Sequence, residues 1–164
     1  MAIWNDIGQS QSRLVKALND WWQPRRRTSG IPDRGDLDPA DLVPLLPNLL
    51  LAEAEHTPFR IRYRLVGTKV AAAARFPFTG RYLDELLRPE VENDWLGYYR
   101  TVYDSRLPLA GAVTVPSLSG ASYTYEFGIF PLTLGGDRVE QFVSAEDYFS
   151  LDFTSALVRP WAER

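Results

Sequence analysis

An α+β domain built on an antiparallel sheet is the fold class this sequence predicts, on three observations. One helical segment precedes a pair of strands, several short helices cross over, and three more strands return; that order belongs to α+β rather than to an alternating α/β chain. The stretch EAEHTPFRIRYRLVGT sets Glu53 and Glu55 against Arg60, Arg62 and Arg64 at every second position, the period of a strand with one wet face. A chain of 164 residues, 45% hydrophobic and 24% charged, suits one domain that buries about 70% of its unfolded surface.

Composition also excludes function classes. A net charge of −3 and a pI near 5.2 argue against broad nucleic-acid binding, which needs a basic face. The absence of cysteine removes disulfides, thiolate nucleophiles and Cys-based metal sites. The opening MAIWNDIGQSQS has no basic leader and no long apolar run, so no secretory signal is expected. No stretch reaches the roughly 18 apolar residues that span a bilayer. A cytoplasmic protein without nucleic-acid or membrane partners is the expectation.

Along the chain, Trp4, Ile7, Leu14, Leu18 and Trp21 fall on a three–four spacing, which predicts an amphipathic helix over 7–22. Pro24 ends it, and Arg25, Arg26 and Arg27 follow where the helix dipole favours cations. The loop TSGIPDRGDLDP leads to a short helix with Asp38 as N-cap and Pro39 at its first position. Strands are expected over 48–55 and 59–66, short helices over 67–74 and 81–87, and the longest central helix over 89–105. Three strands over 109–116, 122–132 and 138–146 close the domain, with Gly135 and Gly136 in the last hairpin turn. Three units result: the N-terminal helix over 1–24, a core over 25–147 and a tail over 148–164.

The charge pattern selects a hairpin register. Glu55 faces Arg60, Glu53 faces Arg62 and Leu51 faces Arg64 on one side. Ala54 with Ile61, Ala52 with Tyr63 and Leu50 with Leu65 occupy the other. A slip of one residue would set acidic against apolar side chains. The three arginines are therefore read as an ion-pair ladder on an edge strand, which also discourages pairing with another chain, and not as a phosphate-binding patch.

The opposite face gathers Ile61, Tyr63, Leu65, Tyr123, Tyr125, Phe127 and Ile129, a large aromatic load. Tyrosines in that position fit either a polar-lined pocket or a core with satisfied hydroxyls. The candidate ligand-binding residues are Tyr63, Tyr98, Tyr123, Tyr125 and Phe127, facing the 89–105 helix. They suit a mostly apolar, uncoloured organic molecule, or nothing. His56 sits beside Pro58 and reads as a turn residue rather than a metal or haem ligand. No metal site and no cofactor are expected.

The segments IPDRGDLDPADLVPLLPNLLLAEAE, FRIRYRLVGT, FTGRYLDEL and YEFGIFPLTLGGDRVEQFVSA resemble the compact bacterial PAS-type domains found mostly as stand-alone proteins. The likeness runs from Trp21 to Asp147. It implies a five-stranded antiparallel sheet in spatial order 2-1-5-4-3 with helices over one face. It also implies a non-enzymatic sensory or protein-interaction role in bacterial signalling, exerted through an unidentified partner protein. Arg75-Phe76-Pro77-Phe78 departs from the glycine-containing stretch usual before the Thr79-Gly80 turn and alters the local pocket. The alternative is a small α+β cone enzyme, an isomerase or hydratase with a buried carboxylate and a tyrosine, for which Asp84, Asp94 and Asp104 are the candidates. The stripe Trp4, Ile7, Leu14, Leu18 and Trp21 can cap its own sheet or join two copies, and a homodimer is the expectation.

Overall fold

The computed structural model describes residues 2–86, 94–116 and 122–149. A six-stranded antiparallel sheet forms its centre: β1 (Ala2–Trp4), β2 (Leu49–His56), β3 (Phe59–Val66), β4 (Leu109–Pro116), β5 (Ser122–Thr133) and β6 (Val139–Asp147). Their spatial order is β1-β4-β5-β6-β2-β3. Without β1 this is the five-strand order expected from sequence. The extra strand pairs Ala2 with Ala112 and Trp4 with Ala110 on the free edge of β4. Gly111 makes that possible, since a side chain there would run into the Ala2 carbonyl at 2.7 Å and the Phe127 ring at 2.9 Å.

Helices α2 (Thr68–Ala74), α3 (Leu83–Leu86) and α4 (Trp95–Ser105) follow β3 and precede β4. Trp95, Tyr99 and Val102 form the buried stripe of α4, which lies against β3, β4 and β5. The helix starts at an Asp94 cap that accepts from the Gly97 amide at 2.8 Å; the earlier part of the expected 89–105 helix lies outside the described residues. This is the inner face of the sheet.

The outer face is covered by the N-terminal segment. Helix α1 (Arg13–Trp22) buries Val15, Leu18, Trp21 and Trp22 and lies along β5 and β6. Gly128 on β5 admits it, because a Cβ there would sit 2.8 Å from Val15 Cγ1. The Trp22 indole donates to the Pro131 carbonyl at 2.9 Å. The helix is shorter than the apolar spacing suggested. A single 3-10 turn occupies Ile7–Gln9, the chain then extends, and Ser12 caps α1 by accepting from the Val15 amide. Polar residues interrupt the helix because Ser10, Gln11 and Ser12 all donate to the buried carboxylate of Glu126.

The hairpin register agrees with the charge pattern up to one irregularity. Glu53 pairs with Arg62, Glu55 with Arg60, Ala54 with Ile61 and Ala52 with Tyr63. Between Leu51 and Ala52 the register shifts, so Leu51 meets Leu65 and Leu50 meets Val66, leaving Arg64 as the extra residue of a bulge. The ion pairs are rearranged too. Arg60 makes two 3.0 Å contacts with Asp84, its guanidinium lies 3.7 Å from the centre of the Tyr82 ring, and Tyr82 donates to Glu55. Glu53 is shared by Arg62 at 3.9 Å and Arg64 at 3.5 Å. All three guanidinium groups of this strand are engaged within the chain.

The PDRGD segment explains itself as a clamp. Asp33 accepts from the Gly35 and Gly135 amides and the Thr133 hydroxyl, tying the loop before β2 to the β5–β6 hairpin. Asp36 accepts the Asp33 amide and a bidentate pair from Arg27. Arg25 reaches the Trp21 carbonyl and Asp41, so two of the three consecutive arginines close the helix end by ion pairs. Gly135 takes φ +75° in the last turn, a conformation glycine adopts without cost.

Candidate functional site: the interior between sheet and helices

Strand alternation decides which side chains face inward. On β5 these are Tyr123, Tyr125, Phe127 and Ile129; on β6 they are Phe142, Ser144 and Glu146, with Phe127 directly opposite Glu146. Helix α4 lowers Trp95 onto Phe127 at 4.7 Å between ring centres, and Tyr98 stacks on the same ring at 5.8 Å. Tyr99 meets the Phe142 ring edge-on at 5.1 Å. Tyr63 enters from β3 and meets Phe78 at 5.0 Å, so the Phe-containing departure from the family pattern supplies a wall of this interior.

The polar centre of the interior is a carboxylate. Glu146 is only 5% exposed, accepts a hydrogen bond from the Tyr148 hydroxyl, and has its backbone carbonyl held by the Asn48 amide at 2.8 Å. Tyr148 packs on Tyr125 at 5.1 Å. Burial pushes the Tyr63 phenol well above its ordinary value, and the neighbouring Tyr99 hydroxyl, the Glu146 charge and Tyr125 add to the shift. Burial likewise raises Tyr99, to about 12, with Ser144 and Tyr63 partly offsetting the effect and Glu146 adding to it. Both shifts arise because a phenolate would have to form in a dry compartment beside an existing negative charge.

Of the five residues expected to line a pocket, Tyr63, Tyr125 and Phe127 are buried on the inner face, while Tyr98 and Tyr123 are half-buried beside them. Burial of Tyr98, with the Asp94 charge, raises its phenol as well. Sequence reasoning missed Tyr99, Ser144, Glu146 and Tyr148. A signal existed for Ser144 and Glu146: they share the strand parity of Phe142, which already pointed inward. Tyr99 lies one position past Tyr98, and only the exact rotation of α4 decides between them.

The three candidate catalytic aspartates do not gather. Asp84 pairs with Arg60, Asp94 caps α4, and Asp104 is exposed on the same helix. His56 bridges instead of standing free, its Nδ1 lying 3.2 Å from the Tyr103 hydroxyl and its Nε2 2.9 Å from Glu140. Among the described residues no three His, Cys, Asp or Glu side chains come together as a metal site, and no helix is long and apolar enough to cross a membrane.

On the outer face, Ile7, Leu18 and Trp21 of the expected dimer stripe are buried within their own chain, and Trp4 and Leu14 remain partly exposed beside them.

The same fold occurs in solved structures at low identity. A light-oxygen-voltage (LOV) domain studied with a flavin analogue is 14% identical, with a TM-score of 0.51 over 70% of this chain and 85% of that one. The dark structure of the blue-light photoreceptor Aureochrome1 LOV is 12% identical, with a TM-score of 0.51 over 75% of this chain and 91% of that one. No curated protein matches the chain. The sequence pattern of the PAS domain family matches residues 10–144, a span that includes α1 as well as the sheet and its inner helices, and the chain belongs to the PAS domain family.

Proposed function

We propose that this protein is a non-enzymatic PAS sensory module that holds a small organic molecule between the sheet and α4 and signals through a partner protein. The observation that carries this reading is the convergence of Tyr63, Tyr99, Ser144 and Glu146 on one buried compartment walled by aromatic rings. Apolar walls with a few convergent polar groups are the usual composition of a ligand site. A flavin, which the first of the two LOV structures involves, does not fit this interior. Trp95, Tyr98 and Phe127 pack on one another, and Tyr125 packs on Tyr148, so side chains fill the layer a flat tricyclic ring needs. The chain also has no cysteine with which a flavin could form a thiol adduct.

Self-association is part of the proposal. With Ile7, Leu18 and Trp21 turned to their own sheet, a second copy would meet Trp4 and Leu14. The ligand reading is tested by thermal unfolding across a metabolite library. A ligand stabilises by RT ln(1 + [L]/Kd), about 2.7 kcal/mol at a hundredfold excess over Kd. Stabilisation by no compound of any class would remove the ligand and leave a constitutive interaction module.

A second reading has one observation in its favour. Glu146 beside Tyr63 and Tyr99 supplies the buried carboxylate and tyrosine that a small cone-shaped isomerase or hydratase would need, a pairing that none of the three aspartates provides. Proton exchange at the α-carbon of ketone substrates, lost in Glu146→Gln, would favour it over the sensory reading.

A further inference from the structure

We infer that the edge of β4 is a docking slot for an extended, uncharged segment of another protein, and that β1 fills it as a displaceable stand-in. The slot gives the partner protein of the sensory reading a surface to meet, and the ligand half of that reading does not depend on it.

The two edges of the sheet are built in opposite ways. β3 carries Arg60, Arg62 and Arg64, and the chain itself closes its outer side. The Tyr63 amide donates to the Arg81 carbonyl at 3.0 Å, and the Gly80 amide donates to the Tyr63 carbonyl at 2.7 Å. Charge and a covering loop are the usual protection of an edge against foreign strands. β4 reads LAGAVTVP and carries no charge. Among the described residues, β1 covers only Ala110, Gly111 and Ala112 of its eight residues. Strand addition uses such an edge: backbone hydrogen bonds provide affinity, and alternate side chains provide specificity.

β1 itself displays the chemistry of a segment that fits. Gly111 lets an incoming backbone close in, since a Cβ there would lie 2.7 Å from both the Ala2 carbonyl and Ile3 Cδ1. Ala110 and Ala112 flank it with side chains almost as small. The occupant's order is thus small, β-branched, aromatic, as in Ala2, Ile3 and Trp4. The hold on β1 is slight. Ala2 is exposed, Ile3 is 37% exposed, and only Trp4 packs on the core. The next anchors of the segment are buried Ile7 and the bond from Ser10 to Glu126. β1 can therefore leave β4 by a local opening while α1 stays fastened. A segment longer than β1 gains further pairing along Val113, Thr114 and Val115, which are uncharged as well.

The probe is a labelled peptide, Lys-Lys-Thr-Val-Thr-Ala-Ile-Trp-Lys-Lys, whose antiparallel register reaches from Ala110 to Val115. Two variants control the slot. Ala2→Cys with Ala112→Cys joins a directly opposed pair in a chain without other cysteines. Cα atoms so opposed stand about 4.5–5.5 Å apart, within disulfide reach, so oxidation locks β1 in place and reduction frees it. Ala2→Pro with Ile3→Pro removes backbone donors from β1 and leaves β4 untouched. Fluorescence anisotropy measures binding, and the amide signals of Ala110 to Val115 locate it. The proline variant is expected to bind the peptide roughly tenfold more tightly than the unaltered chain, because its slot is open for a larger fraction of the time. The reduced cysteine variant should bind like the unaltered chain, and the oxidised form should lose binding. Equal affinity in the two redox states overturns the slot, and so does a folded proline variant that does not bind. Should the proline variant unfold, the comparison of reduced and oxidised forms decides by itself. Dimerisation of the proline variant that excludes the peptide assigns the slot to a second copy and overturns the partner segment. Thermal stabilisation by the metabolite library tests the ligand separately, whichever way the slot is decided.

Discussion

The Ser10 hydroxyl donates to Glu126 Oε2 at 2.5 Å across 116 positions of sequence, and the same oxygen accepts the Gln11 and Ser12 amides at 2.9 and 3.1 Å. One carboxylate oxygen thus fastens the N-terminal segment to the outer face of the sheet. Glu126 is 6% exposed, so its removal leaves the Ser10 hydroxyl and the Gln11 amide without this acceptor, while the Ser12 amide keeps Ser10 Oγ at 3.1 Å. Glu126→Ala is expected to cost about 3 kcal/mol. Hydrogen exchange should show protection lost first in α1. Uniform loss across the sheet, with α1 unaffected, would contradict this role.

The arginine strand separates two kinds of ion pair. Arg62 meets a carboxylate only at 3.9 Å, on Glu53, and otherwise donates to the Gly80 carbonyl at 3.3 Å, so Arg62→Ala should cost less than about 1 kcal/mol and still less in high salt. Arg60 is bidentate to Asp84 and covers the Tyr82 ring. Arg60→Ala should therefore cost more than Arg62→Ala. Urea unfolding of both variants at two ionic strengths checks the order.

Asp33 gives the fold an acid-sensitive point. Burial alone would raise its carboxyl, but the Gly135 and Gly35 amides, the Thr133 hydroxyl and the Arg27 charge together hold it below its ordinary value. Asp36 is lowered chiefly by Arg27. A carboxyl depressed in the folded state contributes stability above the unfolded pKa and loses it as pH falls through the folded one. Stability should therefore decline below about pH 4. Asp33→Asn should flatten that decline while lowering stability at neutral pH. An unchanged pH profile in the variant would assign the acid sensitivity elsewhere.

The interior tyrosines predict alkaline behaviour. Tyr99 is raised to about 12 and Tyr63 well above its ordinary value, so the unfolded chain releases these protons first as pH rises. Their contribution is whole below the unfolded value near 10 and is lost as pH climbs toward 12. Absorbance at the phenolate band should show the exposed tyrosines ionising while these two stay protonated until the protein unfolds. Tyr99→Phe should move alkaline unfolding to higher pH.

Dimerisation separates the two halves of the N-terminal stripe. Leu14→Asp should leave the fold intact, because Leu14 is only partly buried, and should shift sedimentation from dimer to monomer. Leu18→Asp places a charge where Leu18 is fully buried and should unfold the domain instead. A wild-type chain that sediments as a monomer at tens of micromolar would end the dimer proposal.

Sequence alone determined the parts of this protein that follow local periods. Alternation at Glu53, Glu55, Arg60 and Arg62 is a property of the strand itself, and it fixed the hairpin register because a slip would bury charge. Asp38 before Pro39 marked a helix start by chain chemistry alone. The ordered motifs, with the resemblance they carry, led to the strand order. Tertiary structure decided what depends on distant partners. Arg60 left Glu55 for Asp84 because α3 brings a second carboxylate to the same edge. The N-terminal helix began six residues later than its apolar spacing suggested because Glu126 draws Ser10, Gln11 and Ser12 into an extended path. Glu146 was unrecognised as an interior acid because a charged residue near a strand end reads as solvated. Only the docking of α4, with Tyr99 and Trp95 facing the sheet, turns that position into the centre of a buried site.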